Sequence, residues 1–422
     1  MDPSLSALFI DCDSFFASVE QHLDPSLRGK AVGVAPVMAE TSCCIAASYE
    51  AKAYGVKTGT GIREARILCP GIHIVEAKPA EYVKAHHRVI AAVEDCIHVE
   101  AVLSIDEMWA WLPLNWRNPE FVRNLGQQIK SKVANDVSPV IKVSIGAAPN
   151  RYLAKLASKM RKPDGLFIIE QNDLPVALHE LQLSDLTGVG RSMETRLHAA
   201  GIHSVESLCG ASKEVLRGVW GGVLGDRLWY LLRGMIMPDL ETVRKSIGHS
   251  HVLPPESRKP DQAWPILCKL LHKACERLRN HGLVAGSLTI QLGFFGGPRW
   301  SPEISFFETD STLVLMRALH RLWRDRPEPH ARLLQVGCVL GKLLDRSNHT
   351  PDLFGGTINE SCPEDAAKHA RLDQAIDRLR AKYGRQCVYM GSVHHSRDKA
   401  PMRISFTHIP ELGIENDRRD DG

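Results

Sequence analysis

A chain of 422 residues, 44% apolar and 24% charged, is too long for one ordinary core, and its composition is that of a folded chain of two to four domains. Its formal charge of +3 neither requires nor excludes a nucleic-acid partner, because such binding depends on a local basic face. The first apolar stretch, residues 7–10, is too short and too acidic in its flanks for a signal peptide or membrane span, so a cytoplasmic location is expected.

Residues 7–10 are continuously apolar and run into Asp11, as in a buried central strand that delivers a carboxylate at its end. A helix is expected next, carrying Phe16, Val19 and His22 at helical spacing, capped by Asp13 and stopped by Pro25. Residues 30–35 read as a short strand and residues 49–54 as a helix closed by Gly55, together a small α/β insertion. Residues 82–96 are helical in pattern and lead into a β-hairpin candidate at 102–112, with Asp106 and Glu107 in its middle. A helix (119–135), a strand (140–147) and a helix (150–160) suggest a βαβ-like unit. Two helical stretches punctuated by glycine fill 174–234, and residues 235–245 resemble a tether. Beyond it, strands at 287–295, 303–307 and 334–340 alternate with helices at 261–281 and 311–325, in a segment where Lys and Arg exceed Asp and Glu by about five. A last amphipathic helix spans Pro363–Tyr383. The eleven cysteines show no metal-binding spacing and read as reduced core residues.

Asp11 and Asp13 lie two apart, so an extended strand would set both on one face, whereas the adjacent Asp106 and Glu107 would point to opposite faces. Gathering these acids round one point requires a turn at one of the two places. Acids carried by two strands suit hard divalent cations, and the chemistry implied is two-metal phosphoryl transfer.

The wording of the segments narrows this further. FIDCDSFFASVE at 9–20 and SIDEMWAWL at 104–112 closely resemble the two catalytic signatures of Y-family DNA polymerases. SYEAKAYGVKTG at 48–59, ASKMRKPDG at 157–165 and VRKSIG at 243–248 extend the likeness over about residues 7–344. The resemblance implies an α+β multidomain right hand: a palm at 1–24 and 82–170, small fingers at 25–81, a helix-hairpin-helix thumb at 171–234, a linker at 235–245 and an α+β little finger at 246–345. Residues 346–422 would be a C-terminal extension. The activity implied is template-directed, low-fidelity translesion DNA synthesis in repair and damage tolerance, without proofreading. Its partners would be primer–template DNA and deoxynucleoside triphosphates, and its cofactors two Mg²⁺ ions, with Mn²⁺ as a substitute.

By the same resemblance, Asp11, Asp106 and Glu107 would be metal ligands, joined by the Cys12 carbonyl, while Asp13 is left with capping. Phe15, Phe16, Tyr49, Lys52 and Lys162 would hold the incoming nucleotide, with Phe16 under the sugar rejecting a 2′-hydroxyl. Taken alone, Phe16 is a helix-face aromatic that belongs in a core. Lys52 departs from the arginine usual in the family, keeping the charge and losing the bidentate fork. Gly188, Gly190 and Arg191 match a hairpin whose backbone approaches a DNA phosphate, and Arg244 and Lys245 open the basic segment that grips the duplex. Thr350-Pro-Asp-Leu-Phe354 resembles a sliding-clamp docking peptide without its leading Gln, with Leu353 and Phe354 as the anchors. Accessory proteins of the SOS response are further candidate partners. Two other readings compete: an inactive mutasome adaptor, against which the intact acids argue, and a nucleotide cyclase of palm fold, which would lack the hairpins and little finger.

Overall fold

The computed structural model describes residues 5–240, 244–349, 363–384, 387–396 and 409. These fall, in the main, into two compact units, one up to Leu240 and one beyond it. In the first, β1 (Ala7–Cys12) leads into α1 (Phe15–Leu23). A small three-stranded sheet follows, made of β2 (Val32–Ala35), β3 (Ala46–Ala47) and, after the helices α2 (Tyr49–Lys52) and α3 (Ile62–Leu68), β4 (His73–Glu76). Next come α4 (Pro79–Glu94), β5 (Ala101–Val102), β6 (Glu107–Trp111), α5 (Pro119–Asp136), β7 (Val143–Ala148), α6 (Arg151–Met160) and β8 (Leu166–Ile168). With β1 these strands form a five-stranded sheet in the order β5-β6-β1-β7-β8. Four short helices complete the unit: α7 (Arg191–Ala199), α8 (Val205–Gly210), α9 (Lys213–Trp220) and α10 (Val223–Leu231).

The central strand β1 is antiparallel to both β6 and β7, and all six of its residues are buried, which is why its sequence reads as an apolar run ending in an acid. Ala7 and Phe9 enter a core shared with α6 and with α7–α10. Alternation therefore turns Leu8 and Ile10 to the other face, and brings Asp11 out on the α6 side. That helix lies hard against the sheet: a Cβ on Gly146 would collide with the backbone of Ala154 and Ser158, so the crossing from β7 to the parallel β8 depends on glycine there. At its N-terminus, Asn150 caps the helix and donates Nδ2 to the carbonyls of Leu231 and Met235 at 2.9 and 3.0 Å. Arg151 grips Asp239 through two bonds of 2.8 and 2.7 Å. The first half of the expected tether is thus pinned to α6.

The second unit contains β9 (Ile247–Val252), α11 (Pro260–Asn280), β10 (Leu283–Phe294), β11 (Arg299–Trp300), β12 (Glu303–Thr309), α12 (Thr312–Arg324) and β13 (Leu333–Asp345). The sheet is antiparallel in the order β11-β10-β13-β9, with β12 also on β10, and α11 and α12 share its core. β10 and β13 are longer than the strands expected at 287–295 and 334–340. Gly286 and Gly341, one residue outside those expected bounds, sit inside the paired strands, and Val284 pairs with Leu344 beyond them. The last helix, α13 (Pro363–Tyr383), is docked through a buried arginine: Arg279, 8% exposed, forms two bonds of 2.6 and 2.9 Å with Asp377. Asp373 accepts the backbone N–H of Thr312 at 3.0 Å, so α13 caps α12, whose own N-cap Ser311 makes no side-chain bond. Although it falls within the stretch expected as an extension, this helix is part of the second unit. Ten cysteines lie among the described residues, none is bridged, and seven are buried.

Candidate active site

The turn that the acids require lies between β5 and β6. Asp11 on β1 pairs in register with Glu107, the first residue of β6, and the N–H of Cys12 donates to the Asp106 carbonyl at 2.8 Å. Asp106 is the last residue of the turn, and its Oδ1 accepts the Ser104 hydroxyl at 2.6 Å. The backbone register therefore brings Asp11, Asp106 and Glu107 to the end of the central strand, with the Cys12 carbonyl on the same backbone. Burial above all pushes the Asp11 carboxyl up to about 6; the Lys162 ammonium opposes this, and the charges of Asp106 and Glu107 add to it. Asp106 is raised as well, first by burial and then, against its bond from Ser104, by Glu107. Three acids this close cannot all ionise cheaply without cations.

Two lysines supply positive charge. Lys162 contacts Asp11, and Lys155 reaches Glu107 at 2.7 Å. Among the described residues, no three His, Cys, Asp or Glu side chains are gathered closely enough to hold a metal, and two of the acids are paired with lysines instead. The donor set of carboxylates and a carbonyl is nevertheless all oxygen, buried at Asp11 and half-buried at Asp106 and Glu107, and charge-rich, which fits a hard divalent ion in exchange for those lysines. Lys155 was missed at the level of sequence. It stands with Lys159 at positions i and i+4 of α6, a spacing that sets both on one helix face and was readable; Lys162 follows in the loop after the helix.

A raised carboxyl has a consequence for stability. The folded state holds the Asp11 proton more tightly than an unfolded chain, whose carboxyl titrates near 3.8, so ionisation costs stability as pH rises from there to about 6. At 1.4 kcal/mol per pH unit this is about 3 kcal/mol. In chelator, Asp11→Asn should gain that much on the wild type between pH 4 and 7, measured by urea unfolding. A difference that does not change with pH would show that Asp11 ionises freely in the fold.

Asp13 does not cap α1. Ser14 occupies the N-cap with φ of 48° and no side-chain bond, while the Asp13 carboxylate turns inward, 2% exposed. It accepts the Ser144 hydroxyl at 2.8 Å, the Asp164 N–H at 2.7 Å and the Tyr49 hydroxyl at 3.3 Å. Buried tertiary donors outcompete the nearby helix N–H groups because leaving them unpaired would cost more than an open cap.

Around the acids stand the residues expected to hold a nucleotide. Lys52 lies 4.2 Å from the centre of the Tyr49 ring, and its ammonium is destabilised first by desolvation and then by the charge of Lys162, so the two lysines face one region. Phe15 and Phe16 are both buried, and Phe16, 1% exposed, stacks on Tyr82 at 4.7 Å. Tyr82 donates its hydroxyl to the buried Glu20 at 2.6 Å, and Lys78 meets the other oxygen of Glu20 at 2.5 Å, which fixes the ring behind Phe16.

The expected DNA contacts are carried by other elements. Gly188 (φ 91°) and Gly190 flank Val189, which is 6% exposed and anchors the turn in the core, while both glycines are exposed with open space where a side chain would be. Arg191, also exposed, begins α7. Gly221 and Gly222 make a second positive-φ turn before α10. Arg244 and Lys245 are exposed just ahead of β9. Leu353 and Phe354 lie outside the described residues.

The chain matches the impB/mucB/samB family over residues 10–159 and the impB/mucB/samB family C-terminal domain over residues 244–353. It is 34% identical over 400 residues to a DNA polymerase IV of Moorella thermoacetica, covering 91% of this chain and 95% of that one. The chain belongs to the Y family of DNA polymerases. A second Y-family relative, DNA polymerase IV 2 of Mesorhizobium japonicum, is 31% identical over 405 residues, covering 93% of this chain and 95% of the relative. Among solved structures, the Y-family chimera Dbh-Dpo4(243-245)-Dbh superposes with a TM-score of 0.66 at 24% identity, covering 80% of this chain and 99% of that one, a likeness of fold. The first Y-family match takes in all three acids and Lys155, and the second begins at Arg244.

Proposed function

We propose that this Y-family chain is an active, low-fidelity DNA polymerase that extends a primer on its template, including across lesions, by two-metal phosphoryl transfer. The observation that carries this is the pairing of Asp11 with Glu107 beside Asp106, a partly buried acid cluster flanked by Lys155 and Lys162. Asp11, Asp106, Glu107 and the Cys12 carbonyl are the groups that would hold Mg²⁺, or Mn²⁺ in its place. When bound, such ions supply the lowered pKa of the primer hydroxyl and the neutral charge balance on the leaving pyrophosphate. Tyr49, Lys52 and Lys162 orient the triphosphate and compensate its charge. Phe16, backed by Tyr82, closes the space under the sugar. The exposed N–H groups at Gly188 and Gly190, with Arg191, Arg244 and Lys245, hold DNA phosphates without reading sequence.

Primer extension with Mg²⁺ tests the reading. Template-directed addition supports a polymerase; DNA binding without addition would favour an adaptor, and cyclisation of a nucleotide would favour a cyclase. Damaged templates in the same assay test lesion bypass. Among the described residues no helix is long and apolar enough to cross a membrane, and a cytoplasmic site is part of this proposal.

The proposal extends to a sliding clamp, and to accessory proteins of the SOS response, as partners. Leu353 and Phe354 are two large apolar residues in a polar, Gly-flanked stretch, the composition of a short docking peptide. Replacing both by Ala should remove clamp-stimulated synthesis and spare clamp-independent extension, since docking acts by raising the local concentration at the primer end. Stimulation equal to wild type in the double variant would dismiss the motif, and a stability loss of several kcal/mol would return the pair to a core.

A further inference from the structure

We propose that Asp13 is a positioning residue for the incoming triphosphate, keeping Tyr49 of α2 and Lys162 of the loop after α6 assembled on one buried carboxylate. The inference rests on the reading of Tyr49 and Lys162 as triphosphate-binding groups. The two oxygens of Asp13 are differently engaged. Oδ2 accepts Ser144 Oγ at 2.8 Å and Asp164 N at 2.7 Å, which fixes the carboxylate to β7 and to the loop that carries Lys162. Oδ1 takes a second contact from Ser144 at 3.0 Å and faces Tyr49 Oη at 3.3 Å and Lys162 Nζ at 3.6 Å. One oxygen is thus anchored from behind by short bonds, and the other presents negative charge to two looser donors from separate parts of the chain.

A phenol has a single proton to donate. Tyr49 cannot give it to Asp13 and to a phosphate oxygen at once, so nucleotide binding exchanges one anionic acceptor for another. Lys162 is similarly shared between Asp13 and Asp11. Asp13 therefore acts as a resident anion that holds both donors near the place a phosphate will take, and less ordering is left for the nucleotide to impose. The loop does not depend on Asp13 alone, because Lys130 also bonds Asp164, at 3.0 Å from its carboxylate.

Asp13→Asn keeps an acceptor for Ser144 and Asp164 while removing the charge that faces Tyr49 and Lys162. Single-nucleotide insertion by the full chain should show the KM for a deoxynucleotide raised about tenfold, kcat lowered by a smaller factor, and primer–template affinity unchanged. In a Tyr49→Phe background the same substitution should raise KM only about twofold, because Asp13 acts through that hydroxyl. An unchanged or lower KM for Asp13→Asn overturns the proposal, and so does a tenfold rise fully additive with Tyr49→Phe. If Tyr49→Phe and Lys162→Ala each leave KM as it was, the triphosphate reading itself is what fails. Should Asp13→Asn not fold, Ser144→Ala frees the carboxylate without removing it. That variant is expected to raise KM about threefold, and an unchanged KM there overturns the proposal.

Discussion

Asp106→Ala is expected to lower primer extension by about a thousandfold or more while leaving primer–template affinity within about a factor of two. Asp106 ends a turn, where its carboxylate accepts the Ser104 hydroxyl from two residues away, so little of the fold rests on it. Its removal takes one charge from a cluster in which burial, with neighbouring acids adding to it, holds both Asp11 and Asp106 above their ordinary range, so stability should hold or rise. The groups expected to grip DNA phosphates, at Gly188, Gly190, Arg244 and Lys245, belong to other elements and keep their charge and geometry. Asp11→Ala should behave alike in extension. Retention of even a tenth of wild-type extension by either variant, with DNA affinity measured alongside by anisotropy, would remove the metal-ligand assignment.

The second large effect is on sugar selection. Phe16→Ala should raise ribonucleotide incorporation relative to deoxynucleotide by about a hundredfold or more, read as the ratio of kcat/KM values for the two sugars. The same ring is 1% exposed and stacked on Tyr82, so its truncation opens a cavity and should cost about 3–5 kcal/mol. Both changes are expected together: a wall that excludes one hydroxyl has to be rigid, and the contacts that make Phe16 rigid are core contacts. Stability lost with discrimination unchanged would make Phe16 core alone. Insertion kinetics belong at a temperature where urea unfolding shows the variant folded.

Much of the site was legible because strands carry their logic locally. An apolar run ending in Asp11 and a hairpin carrying Asp106 and Glu107 gave two strand ends, and the need for a turn was arithmetic on side-chain direction; the turn between β5 and β6 answered it. The face of α6 bearing Lys155 was equally open to that arithmetic and was passed over. Other features were not local. Asp13 beside a helix start looks like a cap from sequence, and only the arrival of Ser144 and Asp164 from more than a hundred residues away shows where its carboxylate turns. Residues 235–239 look like a tether for the same reason, since Asn150 and Arg151, which pin them, lie some 85 residues earlier. The strands expected at 287–295 and 334–340 fall short at Gly286 and Gly341, since pattern alone cannot tell a glycine that stops a strand from one set within it.

The seating of α13 changes what counts as a transferable piece of this polymerase. A graft that exchanged residues 246–345 for those of another family member would take Arg279 and leave behind Asp373 and Asp377, its carboxylate partners. The guanidinium would keep the Asp310 carbonyl and the Thr312 hydroxyl, neither of which carries a compensating charge. Leaving such a buried cation unpaired costs about 3–5 kcal/mol, and α12 would lose its cap as well. Swaps and truncations that place the cut after Tyr383 keep both ends of the latch in one molecule, whereas a cut at Asp345 divides them.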